Sequence, residues 1–214
     1  QDVPFANKFK DDRNYVCSGL WSRKMKPICA PDWFVNVLPT QMIVDGELFV
    51  GRGQFQQAVS IVRKIVPNDA EWGQVKYCLF DIPALSDVFS TGKIRCDIKQ
   101  YVTILPTMVP MVAADYRFNS FDGVVSRLRN IVNEINCSHL EAVEQVLLPL
   151  SQTAAATVLK QMLGEMFAMG GEGLMLRHRN RLWHPKRDDT LIKMVDKLES
   201  TGSIVAWNMG EGRL

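Results

Sequence analysis

A chain of 214 residues with 47% hydrophobic content can bury a full core, as one large domain or as one domain with a fragment of another. No apolar run approaches the ~20 residues of a membrane span, and the opening QDVPFANKFKDDRN holds neither a signal-peptide core nor an obvious transit peptide. The net charge of +2 is too small to argue by itself for a nucleic-acid partner. The five cysteines (Cys17, Cys29, Cys78, Cys96, Cys137) show no CxxC or other metal spacing. Free thiols in a reducing, intracellular compartment fit that pattern, without separating nucleus, mitochondrion and cytoplasm.

In chain order the pattern reads as α+β. NYVCSGLWSR (14–23) predicts a hairpin turning at Ser18-Gly19, and KPICAPDWFVNVLP (26–39) a proline-punctuated connection with a short apolar turn. MIVDGELFV (42–50) reads as a strand, and Phe55, Val59 and Val62 fall at helical spacing in the segment after it. VKYCLFDIP (75–83) is a buried strand ended by Pro83. Residues 84–119 are irregular, with one candidate strand, QYVTILP (100–106). FDGVVSRLRNIVNEI (121–135) predicts a helix, and EAVEQVLLPL (141–150) a strand or a short helix. Ser151 caps a helix that stops at Gly170-Gly171. GLMLRH (173–178) and TLIKMV (190–195) are short strands flanking a basic loop, and TGSIVAWNMGEGRL (201–214) looks like the first hairpin of a further domain.

Two features stand out chemically. Asp45-Gly46-Glu47 sets two carboxylates and a glycine inside an apolar strand, and a buried carboxylate is costly unless it meets a cation, a metal or several donors. The clusters RKMK (23–26) and RHRNRLWHPKR (177–187) are strongly basic. Such runs are usually solvated faces, but a tryptophan and two histidines among five basic residues tilt the second towards a polyanion surface.

Along the chain stand KFKDDRNY, LWSRKMKP, DGEL, FD, EGLMLR and LIK, in that order. This order resembles the nucleotidyltransferase core of ATP-dependent DNA ligases, a superfamily that also holds RNA ligases and mRNA capping enzymes. LWSRKMKPICAPDWF, DGELFVGRGQF and GGEGLMLR carry most of the resemblance. It is closest to small ligases that lack an accessory DNA-binding domain. The fold it implies is two antiparallel sheets with flanking helices and the nucleotide between them. Residues 1–197 would form this adenylation domain, and 198–214 the incomplete beginning of an oligonucleotide-binding (OB) fold.

The resemblance also implies a chemistry. A lysine attacks the α-phosphate of ATP to give lysine–AMP, AMP passes to the 5′-phosphate at a nick, and the 3′-hydroxyl displaces it. On matching positions, Lys8 is the nucleophile with Arg13 beside it, and Arg23 contacts ribose and later the 5′-phosphate. Glu47 faces the ribose or the metal-bound waters, Phe80 stacks on adenine, Glu172 directs Mg2+, and Lys193 meets the α-phosphate. Arg187 contacts DNA or phosphate, and Arg23, Lys24, Arg177, Arg179, Arg181 and Lys186 join it on a DNA-binding rim. His178 and His184 match no ligand and read as surface. The implied partners are ATP, Mg2+ and nicked duplex DNA, with no membrane and a monomeric chain, in DNA replication or repair.

Two departures accompany these matches. The family's Lys-x-Asp-Gly-x-Arg motif becomes KFKDDR, where Lys10 and Asp11 replace the Asp and the Gly. A second register places Lys10 as nucleophile and keeps Asp12, but loses the arginine to Tyr15. Spacing to Ser22-Arg23 favours Lys8. In the last motif, Val195 stands where a second lysine is expected. The alternative is therefore a degenerate relative that binds nucleotide or nicked DNA without forming the adenylate, or an RNA ligase or capping enzyme.

Overall fold

The computed structural model describes residues 20–23, 27–39, 42–84, 87, 118–184 and 189–195. The elements are β1 (Leu20–Trp21), β2 (Pro27–Ile28), α1 (Asp32–Val35), β3 (Asp45–Phe49), α2 (Phe55–Val62), α3 (Asp69–Trp72) and β4 (Lys76–Asp81). They continue with α4 (Phe121–Ile135), β5 (Leu140–Ala142), α5 (Gln152–Ala168), β6 (Gly173–Arg177) and β7 (Leu191–Val195). The fold is mixed α+β, with small sheets and several helices.

The strands form three sheets among the described residues: β1–β2, β3–β4–β5 and β6–β7. β1 pairs antiparallel with β2, so Leu20-Trp21 meet Pro27-Ile28, while the expected turn at Ser18-Gly19 lies outside the described residues. In the central sheet β4 is antiparallel to β3 but parallel to β5, so this sheet is mixed where antiparallel pairing was expected. A parallel neighbour needs a crossover connection, and α4 precedes β5 and packs on both β4 and β5. Of the segment foreseen as strand or helix (141–150), only Glu141 and Ala142 join the ladder, together with Leu140 before it, and 143–149 is irregular. The candidate strand at 100–106 and the expected OB segment at 198–214 also lie outside the described residues.

The core lies between this sheet and its helices. Phe34, Trp72, Val75 and Leu79 are fully buried, and the Phe34 and Trp72 rings meet edge-on at 4.7 Å. On α4 the residues Phe121, Val124, Leu128 and Ile131 are buried at the 3–4-residue spacing of one helix face. Asn68 caps α3 through Glu71 N at 3.0 Å, and Ser151 caps α5 through Ala154 N at 3.4 Å. α5 packs on β6, yet none of its residues is fully buried.

Candidate functional site

Strand alternation explains how β3 carries its polar residues. Leu48 packs on the core with Val44 and Val50, whereas Glu47 is exposed. This corrects the expectation of a carboxylate in a buried strand. The desolvated acid is its neighbour Asp45, whose carboxyl is pushed above the usual range by burial and by nearby Asp81. Trp183 Nε1 donates to Asp45 Oδ2 at 2.9 Å and offsets part of that cost. Gly46 is required sterically, because a Cβ there would stand 2.5 Å from the Cys78 carbonyl oxygen and 2.8 Å from the Tyr77 ring.

On β4, Cys78 pairs with Glu47 and Asp81 pairs with Asp45. The register slips between Asp45 and Gly46, which leaves Phe80 as the extra residue of a bulge, half-buried. Bulges of this kind re-aim side chains beside functional sites. The Cys78 thiol is pushed up to about 11 by burial and by the acids Glu141 and Glu47, so it stays protonated at neutral pH. Among the described residues Cys29, Cys78 and Cys137 are not joined in disulfides, as the spacing implied.

The β6–β7 pair carries the second half of the arrangement. Met175 pairs with Lys193, and Gly173 with Val195. Gly173 has φ 150°, and a Cβ there would collide with the Met194 carbonyl, so only glycine brings the strands this close at that point. Glu172 sits just before it, and Lys193 Nζ donates to Glu172 Oε2 at 2.7 Å. Both side chains are exposed, at 53% for Lys193 and 79% for Glu172. The hydrogen bond from Lys193 and its charge hold the Glu172 carboxyl below its usual range.

The basic cluster divides into inward and outward residues. Arg177 Nη1 donates to the fully buried Asp81 Oδ2 at 2.6 Å, with only 10% of the Arg177 side chain exposed. Its guanidinium also lies 4.1 Å from the Phe121 ring centroid. Arg177 therefore does not stand on an exposed rim, because its charged group is taken up inside the protein. Trp183 is likewise drawn inward to Asp45. Arg179 is exposed and pairs with Asp122 at 2.7 Å, Arg181 is half-buried, and Arg23 is exposed. His178 and His184 are exposed. Lys8, Lys10, Arg13, Lys24, Lys186 and Arg187 lie outside the described residues.

The structure thus brings together Glu172 with Lys193, and Glu47 with the Phe80 strand, and it ties the two sheets through Arg177–Asp81 and Trp183–Asp45. Sequence reasoning missed both ties. One signal for them was available: Asp81 inside YCLFDIP is as anomalous as the acids of β3 and demands a donor.

With this geometry in view, the chain is 23% identical over 194 residues to a DNA ligase of Haemophilus influenzae, covering 91% of this chain and 58% of that one. Its structure is similar to one solved in a structure–function study of DNA binding with a minimal scaffold by the Lig E DNA ligases. The TM-score is 0.57 at 26% identity, over 85% of this chain and 55% of that one. The chain spans a little over half the length of these relatives. The sequence matches no protein-family model. Sequence and fold are therefore DNA ligase-like.

Proposed function

We propose that this chain is the adenylation core of an ATP-dependent DNA ligase, which forms a lysine–AMP intermediate and seals nicks in duplex DNA. The observation that carries this reading is the Glu172–Lys193 pair at 2.7 Å, exposed at the start of β6 and facing no apolar core. A cation and an acid held together in solvent, on a strand pair tied through Arg177–Asp81 to the sheet that carries Glu47 and Phe80, suit a phosphate-handling surface.

In this reading Lys8 attacks the α-phosphate of ATP. A nitrogen–phosphorus bond forms as the bond to pyrophosphate breaks. A 5′-phosphate oxygen of the nick then displaces Lys8, and the 3′-hydroxyl finally displaces AMP. Lys193 exchanges its carboxylate partner for α-phosphate oxygens, which neutralises charge as it builds. Phe80 offers a half-buried ring to adenine, and Glu47 an exposed carboxylate to ribose or ordered water. Arg13 and Arg23 add contacts to the nucleotide.

The donor set fits Mg2+. No group of three or more His, Cys, Asp or Glu among the described residues is arranged to hold a metal, but Mg2+ needs only one or two carboxylates and retains its waters. Glu172 and Glu47 would supply them, and the bound ion would neutralise phosphate oxygens. Nicked duplex DNA would meet Arg23, Lys24, Arg179, Arg181, Lys186 and Arg187. Residues 1–197 would be the catalytic unit and 198–214 the start of an OB fold, in a monomeric intracellular protein of DNA replication or repair.

Incubation with labelled ATP and Mg2+, followed by denaturation, tests the reading. Label retained on the chain supports it. ATP bound before denaturation and lost afterwards would point instead to a degenerate relative, and adenylate transferred only to RNA nicks would point to an RNA ligase.

A further inference from the structure

Resting on the reading above, we propose that Arg177 and Asp81 are positioning residues, whose buried ion pair fixes β6–β7 against β4 so that Glu172 and Lys193 meet the nucleotide at Glu47 and Phe80. Both oxygens of the buried carboxylate have donors. Asp81 takes Arg177 Nη1 on Oδ2 at 2.6 Å and the Ile82 amide on Oδ1 at 2.9 Å, and Phe121 covers the guanidinium.

A buried pair like this contributes little stability over an apolar replacement of similar volume, because both charges lose water. What a planar, forked guanidinium does supply is direction. That direction matters at this point of the chain. Asp81 directly follows Phe80, and Arg177 closes the strand that begins just after Glu172. Met175 pairs with Lys193, and Arg177 lies two residues further along the same side of β6. A slip of one residue would turn Arg177 to the opposite side and carry Lys193 away from its present face.

An independent contact ends at the same place. Trp183, from the loop after β6, donates to Asp45, and Asp45 is the cross-strand partner of Asp81. Both ties from the second sheet therefore land on neighbouring acids, one of them beside Phe80 and the other two residues before Glu47. The arginine at the head of the basic cluster is thereby separated in role from the exposed Arg179.

The test uses the whole chain and compares Arg177→Lys with the paired apolar replacement Arg177→Met/Asp81→Leu. Four quantities are read: thermal unfolding, ATP KM, adenylation kcat per folded molecule, and the salt slope of nick binding. The apolar pair is expected to fold as stably as wild type. In both variants kcat should fall by about 10- to 100-fold, the scale of a small misplacement at a reacting centre, with KM and salt slope near wild type. A stability loss with unchanged kcat per folded molecule would overturn the proposal in favour of a purely structural pair. A salt slope reduced by about one with normal adenylation would overturn it in favour of a DNA contact. A wild-type chain that forms no adenylate would overturn the parent reading itself, before any variant is compared.

Discussion

On one side of the molecule Phe34, Trp72, Val75 and Leu79 are shut away from water, whereas Met175, Ile192 and Val195 on β6–β7 stand 57%, 52% and 40% exposed. The central sheet is held by apolar packing under α4. The second sheet is held to it by Arg177–Asp81 and Trp183–Asp45, which are directional polar contacts. Hydrophobic burial is non-directional and scales with the apolar area removed from water. Hydrogen-bonded charge pairs specify orientation, and orientation is what the phosphate-handling role proposed for Glu172–Lys193 requires. The region that stabilises and the region that would react are therefore built from different interactions.

The comparison breaks most visibly at Glu172. Glu172→Ala should slow AMP transfer by roughly 10²–10³, as loss of a charge-stabilising group commonly does, and leave thermal unfolding unchanged because the side chain is exposed. Near-normal adenylation in this variant would remove Glu172 from the site. In the core the pattern reverses. Phe34→Ala should cost about 3–5 kcal/mol by opening a cavity, measured by denaturant unfolding, while Leu147→Ala at 68% exposure should stay within about 0.5 kcal/mol.

The rest of the basic cluster gives a smaller effect. Neutralising Arg179, Arg181 and Lys186 together should weaken nick binding and flatten its salt dependence by roughly one unit of slope per lost phosphate contact. Arg179 must leave Asp122 to contribute, so its share is expected to be the least of the three. An unchanged slope would show that these residues are only a solvated face.

Much of the central sheet was legible in the sequence because its signals are periodic. The apolar spacing of FDGVVSRLRNIVNEI placed α4, and Ser151 placed the start of α5. Glu172 and Lys193 were legible as a pair only through motif order, since they are separated by the basic loop and nothing local says that their side chains meet. Glu47 was misread as buried because an apolar run hides its alternation until the facing strand is known. Arg177 looked like one more member of a charge cluster. Its partner Asp81 lies far away in sequence, and composition cannot show which of several arginines turns inward.

Asp45 offers the mildest test of the polar side. Its carboxyl is raised above 3.8 in the folded chain, so the folded state binds that proton more tightly than the unfolded state does. Stability contributed by Asp45 is then greatest at low pH and falls as pH rises from 3.8 to the raised value. Asp45→Asn keeps an acceptor for Trp183 and removes the charge. Thermal unfolding should show the variant slightly more stable than wild type at neutral pH, with the difference vanishing below 3.8. A gap that widens on acidification would show that the charge is stabilising and the sign wrong.

The most direct measurement of the central claim is the position of the adenylate. After incubation with ATP and Mg2+, mass spectrometry of tryptic peptides should find AMP on Lys8, the nucleophile of the proposed reading. Adenylate on Lys10 would reverse the register of the nucleophile motif. ATP bound with no adenylate on either lysine would contradict the account and leave a nucleotide-binding relative that does not catalyse transfer.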